Sequence, residues 1–118
     1  MNPSLQLTVD DLLMGARATY EVEVPAAILR PGTAEPTEPA AGDEGRIVRL
    51  RPLTIGAFRL ILRAAREDPG LIPLLMIKES LLEPRLTLEQ VKQLHLGFVT
   101  FLIGHIRAIS GLEEKKSP

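Results

Sequence analysis

The sequence predicts an α+β fold, an antiparallel β-hairpin with a long flexible loop packed on a bundle of about four short helices. Three observations lead there. Two short segments alternate apolar and charged residues with a period of two. A Pro/Gly-rich acidic stretch lies between them. Beyond residue 53, apolar residues recur at helical spacing, interrupted by Pro, Gly and capping residues. The 118 residues suit one domain, spanning 1–118.

Taken in order, Leu5 to Gly15 opens with Thr8, a capping residue, followed by Asp10 and Asp11 where the helix dipole favours acids. Leu12, Leu13 and Met14 supply an apolar patch, and Gly15 is expected to stop the helix. Tyr20, Val22 and Val24 then alternate with Glu21 and Glu23, the pattern of a half-buried strand. Pro25 ends that strand or places it at a sheet edge. Residues 31–45 hold three prolines, three glycines and four acids and no large apolar side chain. Such a segment buries too little surface to offset its ordering entropy, so a flexible loop is expected. Arg46 to Pro52 forms the second strand, with Val48 and Leu50 alternating with Arg49 and Arg51. In an antiparallel pair, Glu21 and Glu23 share a face with Arg49 and Arg51, and opposite charges attract across the strands.

The helical part begins at Thr54, a cap. Ile55, Phe58, Ile61, Leu62 and Ala65 form one stripe of this helix, and Arg59, Arg63 and Arg66 the opposite one. Asp68-Pro69-Gly70 breaks it, and Asp68 also suits the cap of the next helix. That helix is expected over Leu71 to Leu82, with Pro73 tolerated in its first turn and Pro84 closing it. Thr87 and Gln90 have the spacing of a capping box for a short helix that turns Val91 and Leu94 inward. A break at Leu96-Gly97 leads to a last helix, Phe98 to Ser110, with Gly111 as its C-cap. Residues 113–118 read as a polar tail.

Composition narrows the function. Aromatic residues are 3% of the chain and Trp is absent, so the core is built from Leu, Ile, Val and Ala. Aromatic platforms for stacked bases are lacking too. With no Cys, disulfides, thiolate metal sites and cysteine nucleophiles are excluded together. No apolar run has the roughly 18 residues a membrane span needs. Met1 to Asp11 has no basic segment ahead of an apolar one, so no secretory signal is expected. Residues 1–45 carry eight acids and two bases, and residues 46–118 carry seven acids and twelve bases. The asymmetry fits an acidic arm beside a mildly basic core, or a basic core that meets an anionic partner.

A search for chemistry assembles no catalytic site. His95 and His105 are ten residues apart, without the spacing of paired metal ligands. Ser80 and Ser110 lack the surroundings of a nucleophile. Glu79 and Glu83, one helical turn apart, have no third ligand. No enzyme activity, metal or cofactor is expected. The strongest polar feature is a run of six arginines, from Arg46 to Arg66, with no acid among them. It suits nucleic-acid phosphates, an acidic protein helix or the chain's own N-terminal acids, although no DNA-binding motif frames it. The last helix is apolar at 98, 99, 101, 102, 103, 106, 108 and 109, wider than one stripe. Either it is the central core helix, or part of its surface serves a partner.

The order of these segments resembles the small tail assembly chaperones of tailed phages and prophages. The residues that carry the resemblance are Val48 to Thr54 leading into a helix with Phe58, then Leu74 to Pro84, Leu86 to Val91, and Ala108 to Leu112. It spans roughly residues 46–112, and the acidic loop has no counterpart. The resemblance implies a non-enzymatic role in the bacterial host cytoplasm. Such a chaperone holds the long, helical tape-measure protein, or another helical tail protein, until the tube forms, and is absent from the finished tail. Helix-in-groove contact is the expected mode. The groove is expected between the last two long helices, at Leu74, Leu75, Ile77, Phe98, Phe101, Leu102 and Ile106. Arg59, Arg63 and Arg66 are expected on its rim. Self-association is a further possibility. The alternatives are a permanent structural part, such as a tail, baseplate or contractile-injection-system adaptor, and a nucleic-acid-binding regulator.

Overall fold

The computed structural model of the protein describes residues 6–32 and 46–112. Most of the expected flexible loop, 33–45, and the polar tail, 113–118, lie outside the described residues. The fold is α+β. In chain order the elements are α1 (Val9–Arg17), β1 (Tyr20–Glu23), α2 (Ala26–Leu29), β2 (Ile47–Leu50), α3 (Ile55–Ala64), α4 (Leu71–Ser80), β3 (Leu81–Glu83), α5 (Leu88–Lys92) and α6 (Leu96–Ile109).

The hairpin forms as its alternation requires. Strands β1 and β2 are antiparallel, with Glu21 opposite Arg49 and Val22 opposite Val48. Val22, Val24, Val48 and Leu50 face the core. The sheet, however, has three strands in the order β1-β2-β3. The helix expected over Leu71 to Leu82 ends at Ser80, and Leu81 to Glu83 pair with the open edge of β2. Leu50 lies opposite Leu81 and Arg49 opposite Glu83, so one step on β2 matches two on β3, and Leu82 is the extra residue of a bulge. An apolar run alone does not separate helix from strand; the free hydrogen bonds of β2 decide it here.

That register rearranges the expected charge pairs. On the exposed face the Arg49 guanidinium bridges all three strands, to Glu21 Oε2 at 2.9 Å and Glu83 Oε1 at 3.1 Å. Glu79 and Glu83 therefore share no helical face. Arg51 leaves the sheet and pairs with Glu79, outside the shared face expected for Glu21, Glu23, Arg49 and Arg51; its Nε donates to the Glu79 carbonyl at 3.1 Å and its NH2 group to Oε1 at 2.8 Å.

The sheet and helices share one core. Leu50, Ile77, Val91, Leu102 and Ile106 are fully enclosed, joined by Ile61, Met76 and Leu81. Helix α4 is the hub, packing on α3, α5, α6 and β3. Contact on several sides explains why Leu71 to Ile77 shows no single apolar stripe.

Polar ties fix the joints. The Arg51 N–H donates to the Ser80 carbonyl at 2.9 Å, and the buried Ser80 hydroxyl donates to the Arg51 carbonyl. Two residues on, the Leu53 N–H donates to Ser110 Oγ at 2.8 Å, tying the same segment to the end of α6. Thr54 caps α3, and Thr87 with Gln90 makes the expected capping box on α5. Gly111, at φ 76°, closes α6 with a Schellman motif: its N–H reaches the Ala108 carbonyl at 3.2 Å, and the Leu112 N–H reaches that of Arg107 at 2.8 Å.

Other boundaries differ from expectation. Helix α1 continues through Gly15 to Arg17, since a single glycine weakens a helix without ending it. Helix α6 begins at Leu96 because His95 is its cap, with Nδ1 accepting from the Phe98 N–H at 3.1 Å. His95 Nε2 lies 2.8 Å from the Ile28 carbonyl, so the neutral ring donates there and accepts at Nδ1. This bond holds α2, a single turn with no period to announce it, against α6.

Two substitutions check these joints. Ser80→Ala removes the hydroxyl and leaves the Arg51 carbonyl short of a partner; unfolding in urea is expected to show a loss of about 1–3 kcal/mol. His95→Ala removes a cap and the link to α2, with an expected loss of about 1–2 kcal/mol, and His95→Asn restores the capping part. Unchanged midpoints would remove these bonds from the account.

Candidate partner-binding surface

The groove expected between α4 and α6 is closed, because the two helices pack on each other. Ile77, Leu102 and Ile106 have 0% of their surface exposed. They are core residues and offer nothing to a partner. Leu74, Leu75, Phe98 and Phe101 are partly buried and pack against that core. Phe101 lies against the His105 ring, with centroids 4.6 Å apart. The excess apolar surface lies on other elements.

Helix α3 has two faces. Phe58, Ile61 and Ala65 point inward. Ile55 and Leu62, expected on the same stripe, are exposed, Ile55 to 79%. Helical spacing explains this: the buried residues cluster about one direction, and positions 55 and 62 lie at its edge, where no neighbouring element covers them. Leu60 is exposed as well. Arg59 and Arg63 stand between these apolar side chains, with Arg66 just past the helix end, and all three are exposed. Gly56, Arg59, Leu60, Leu62 and Arg63 line a notch of about 400 Å³. A Cβ at Gly56 would meet only Thr54 Oγ1, at 3.9 Å, so the glycine leaves the notch open.

The expected basic stripe is therefore present, but beside an apolar face of its own helix and not on the rim of an α4–α6 groove. Arg49 and Arg51 are held by acids, whereas Arg59, Arg63 and Arg66 make no ion pair among the described residues. The guanidinium of Arg49 is raised above its ordinary value, first by its hydrogen bond to Glu21 and then by the charge of Glu83.

Helix α1 is the second exposed feature. Val9, Leu12, Leu13 and Ala16 fall at i, i+3, i+4 and i+7, one amphipathic stripe. None of its residues is buried, and Leu12 is 67% exposed. The Leu12–Met14 patch was legible in the sequence; that no core receives it was not. A capping box holds the helix, with the Thr8 N–H donating to Asp11 Oδ2 at 2.9 Å and the Asp11 N–H to Thr8 Oγ1 at 3.1 Å. The backbone bond, then the side-chain bond, to Thr8 lowers the Asp11 carboxyl below its ordinary value. Leu96, 84% exposed in the first turn of α6, is a further isolated apolar residue.

No group of three His, Asp or Glu able to hold a metal is present among the described residues, and none of their helices is long and apolar enough to cross a membrane. The arrangement can offer guanidinium groups and short apolar rows to a helix laid alongside.

A depressed carboxyl stabilises its helix above its unfolded value and loses that effect as pH falls through the folded one. The helical Cα shifts of residues 9–17 should therefore persist at neutral pH and fade below about pH 3.8, while core resonances, independent of α1, stay in place. Asp11→Ala should show the faded state at neutral pH. Helical shifts in α1 that ignore both changes would contradict the capping account. No protein-family model, curated protein or solved structure matches this chain.

Proposed function

We propose that this chain is a non-enzymatic protein-binding domain that serves as a tail assembly chaperone. In this reading it holds a helical segment of a tape-measure protein in the bacterial cytoplasm before the tail tube forms. The observation that carries the proposal is the outer face of α3, where Ile55, Leu60 and Leu62 are exposed beside three arginines that make no ion pair among the described residues. The segment order in residues 46–112 is the second support.

The chemistry suits a holder. A client helix that places apolar side chains over the Gly56 notch covers greasy surface that water otherwise meets. Arginines at the edge remain hydrated, pair with client carboxylates and set orientation more than affinity. The surface is small, so the complex is weak enough to be released when tube subunits compete for the client. An exchangeable contact of this kind distinguishes a chaperone from a permanent structural part.

Co-expression with the tape-measure protein of the same genome tests the proposal. The soluble fraction of the client should rise, and the two proteins should co-purify. Arg59→Glu with Arg63→Glu should weaken the complex by about tenfold, since two attractive contacts become repulsive. Unchanged client solubility with no complex would overturn the chaperone reading. Detection of the chain in purified particles would identify a structural part instead. A mobility shift with DNA that collapses as salt rises would assign the arginines to phosphates.

A further inference from the structure

Two exposed features of the chain complement each other. Helix α1 offers a narrow apolar stripe, Val9, Leu12, Leu13 and Ala16, with Asp10 beside it, exposed and held, among the described residues, only by a 3.6 Å surface pair with Arg17 that a closer cation can displace. The outer face of α3 offers exposed apolar side chains, Ile55, Leu60 and Leu62, interleaved with Arg59 and Arg63. Residues 46–66 contain no acid, so these arginines have no carboxylate on their own helix. One element has the stripe with an exposed carboxylate, Asp10, beside it, and the other has the cations and the receiving surface.

Within one chain the two do not meet along their lengths. Ala16, at the end of α1, shares a small cleft with Thr54 and Ala57, at the start of α3. From there α1 leaves its stripe uncovered, and only Ala18 and Thr19 connect it to β1. A second copy has no such tether. We infer that two copies of this chain pair by exchange: α1 of one copy lies along the outer face of α3 of the other, and the reverse contact forms by symmetry.

Area favours the two-fold arrangement. A single nine-residue helix laid on another covers less than a specific interface needs. A symmetric exchange doubles the covered surface, towards the roughly 1,000 Å² that such an interface clears. Asp10 then comes near Arg59 and Arg63 of the other copy, while Asp11 stays with Thr8 in the capping box, and the apolar stripe of α1 lies against the exposed leucines of α3. Pairing occupies the face proposed above for a client, so a client competes with the second copy. The pairing itself needs no client and stands or falls separately from that assignment.

Sedimentation equilibrium of the full chain across a range of concentrations tests it. A concentration-dependent dimer is expected. Leu12→Glu with Leu13→Glu should raise the dissociation constant by about tenfold or more. Because α1 contributes no buried residue, the melting temperature should not move when both chains are compared at concentrations well below the dissociation constant. Arg59→Glu with Arg63→Glu should weaken the dimer similarly, and adding Asp10→Lys to that chain should recover part of the loss. The protein has no cysteine, so a spin label at Met14→Cys reports α1 alone. Mixed with an unlabelled, isotope-enriched copy, it should broaden amide signals from Ile55 to Arg63 of that copy. A monomer at every concentration overturns the inference, as does a dimer indifferent to both pairs of substitutions. So does a label that leaves α3 of the other copy untouched, or a monomer whose melting temperature falls when α1 is substituted.

Discussion

Arg51 and Ser80 exchange hydrogen bonds in both directions, the N–H of Arg51 to the Ser80 carbonyl and the Ser80 hydroxyl to the Arg51 carbonyl. The place where they meet is the turning point of the molecule. Here the chain leaves β2 for the helices, and here α4 stops and β3 begins. A buried backbone carbonyl must find a donor, and Ser80, fully enclosed, supplies it from its side chain. Once that joint is made, Leu81 falls opposite Leu50 and Ile77 lies beneath the sheet in the same apolar cluster. The ion pair between Arg51 and Glu79 stands over the joint, and the Ser110 hydroxyl ties the following residues to the end of α6. Sheet and helices are thus held to one another within three consecutive residues, 51–53.

The same joint determines which surface is left over. Helix α4 sits at the hub and is covered by α3, α5, α6 and β3, so its apolar residues are consumed by the core. Helix α3 lies outside it and gives up only one face, with Phe58, Ile61 and Ala65. The other face is turned to solvent with Ile55, Leu60 and Leu62. A chain of this length has few elements with which to cover its own surface. Helix α1 adds a stripe that nothing buries. Most of the exposed apolar surface of the described residues therefore lies at the periphery, on α1 and α3, and not in a groove between α4 and α6.

Charge divides along the same line. Arginines on the sheet are structural: Arg49, on β2, bridges to β1 and β3, and Arg51 holds the end of α4. Arginines on α3 have no such task, and their charge projects into solvent beside apolar side chains. In sequence the six read as one basic cluster. In space Arg49 and Arg51 are spent inside the protein, whereas Arg59, Arg63 and Arg66 make no ion pair among the described residues.

Local patterns in the chain were enough to determine the pairing of β1 with β2 and the caps of α1, α3 and α5, but not that α4 starts at Gly70 without a side-chain cap from Asp68, nor that His95 caps α6. The alternation of Val22 and Val48 with their charged neighbours is a strand period, and Thr8, Thr54 and Thr87 place helix starts because a side-chain oxygen must satisfy the orphan N–H groups of a first turn. Gly111 marks the end of α6 because the left-handed conformation there favours a residue without a Cβ. Tertiary structure decided the rest. Leu81 to Glu83 became a strand because β2 had an open edge to pair with. Ile77, Leu102 and Ile106 went to the core while Ile55 and Leu12 stayed out, although all five are apolar residues at helical spacing. Periodicity tells which side chains share a face. Only the placement of neighbouring elements tells which faces are covered, because burial is a property of the packed surface and not of the residue.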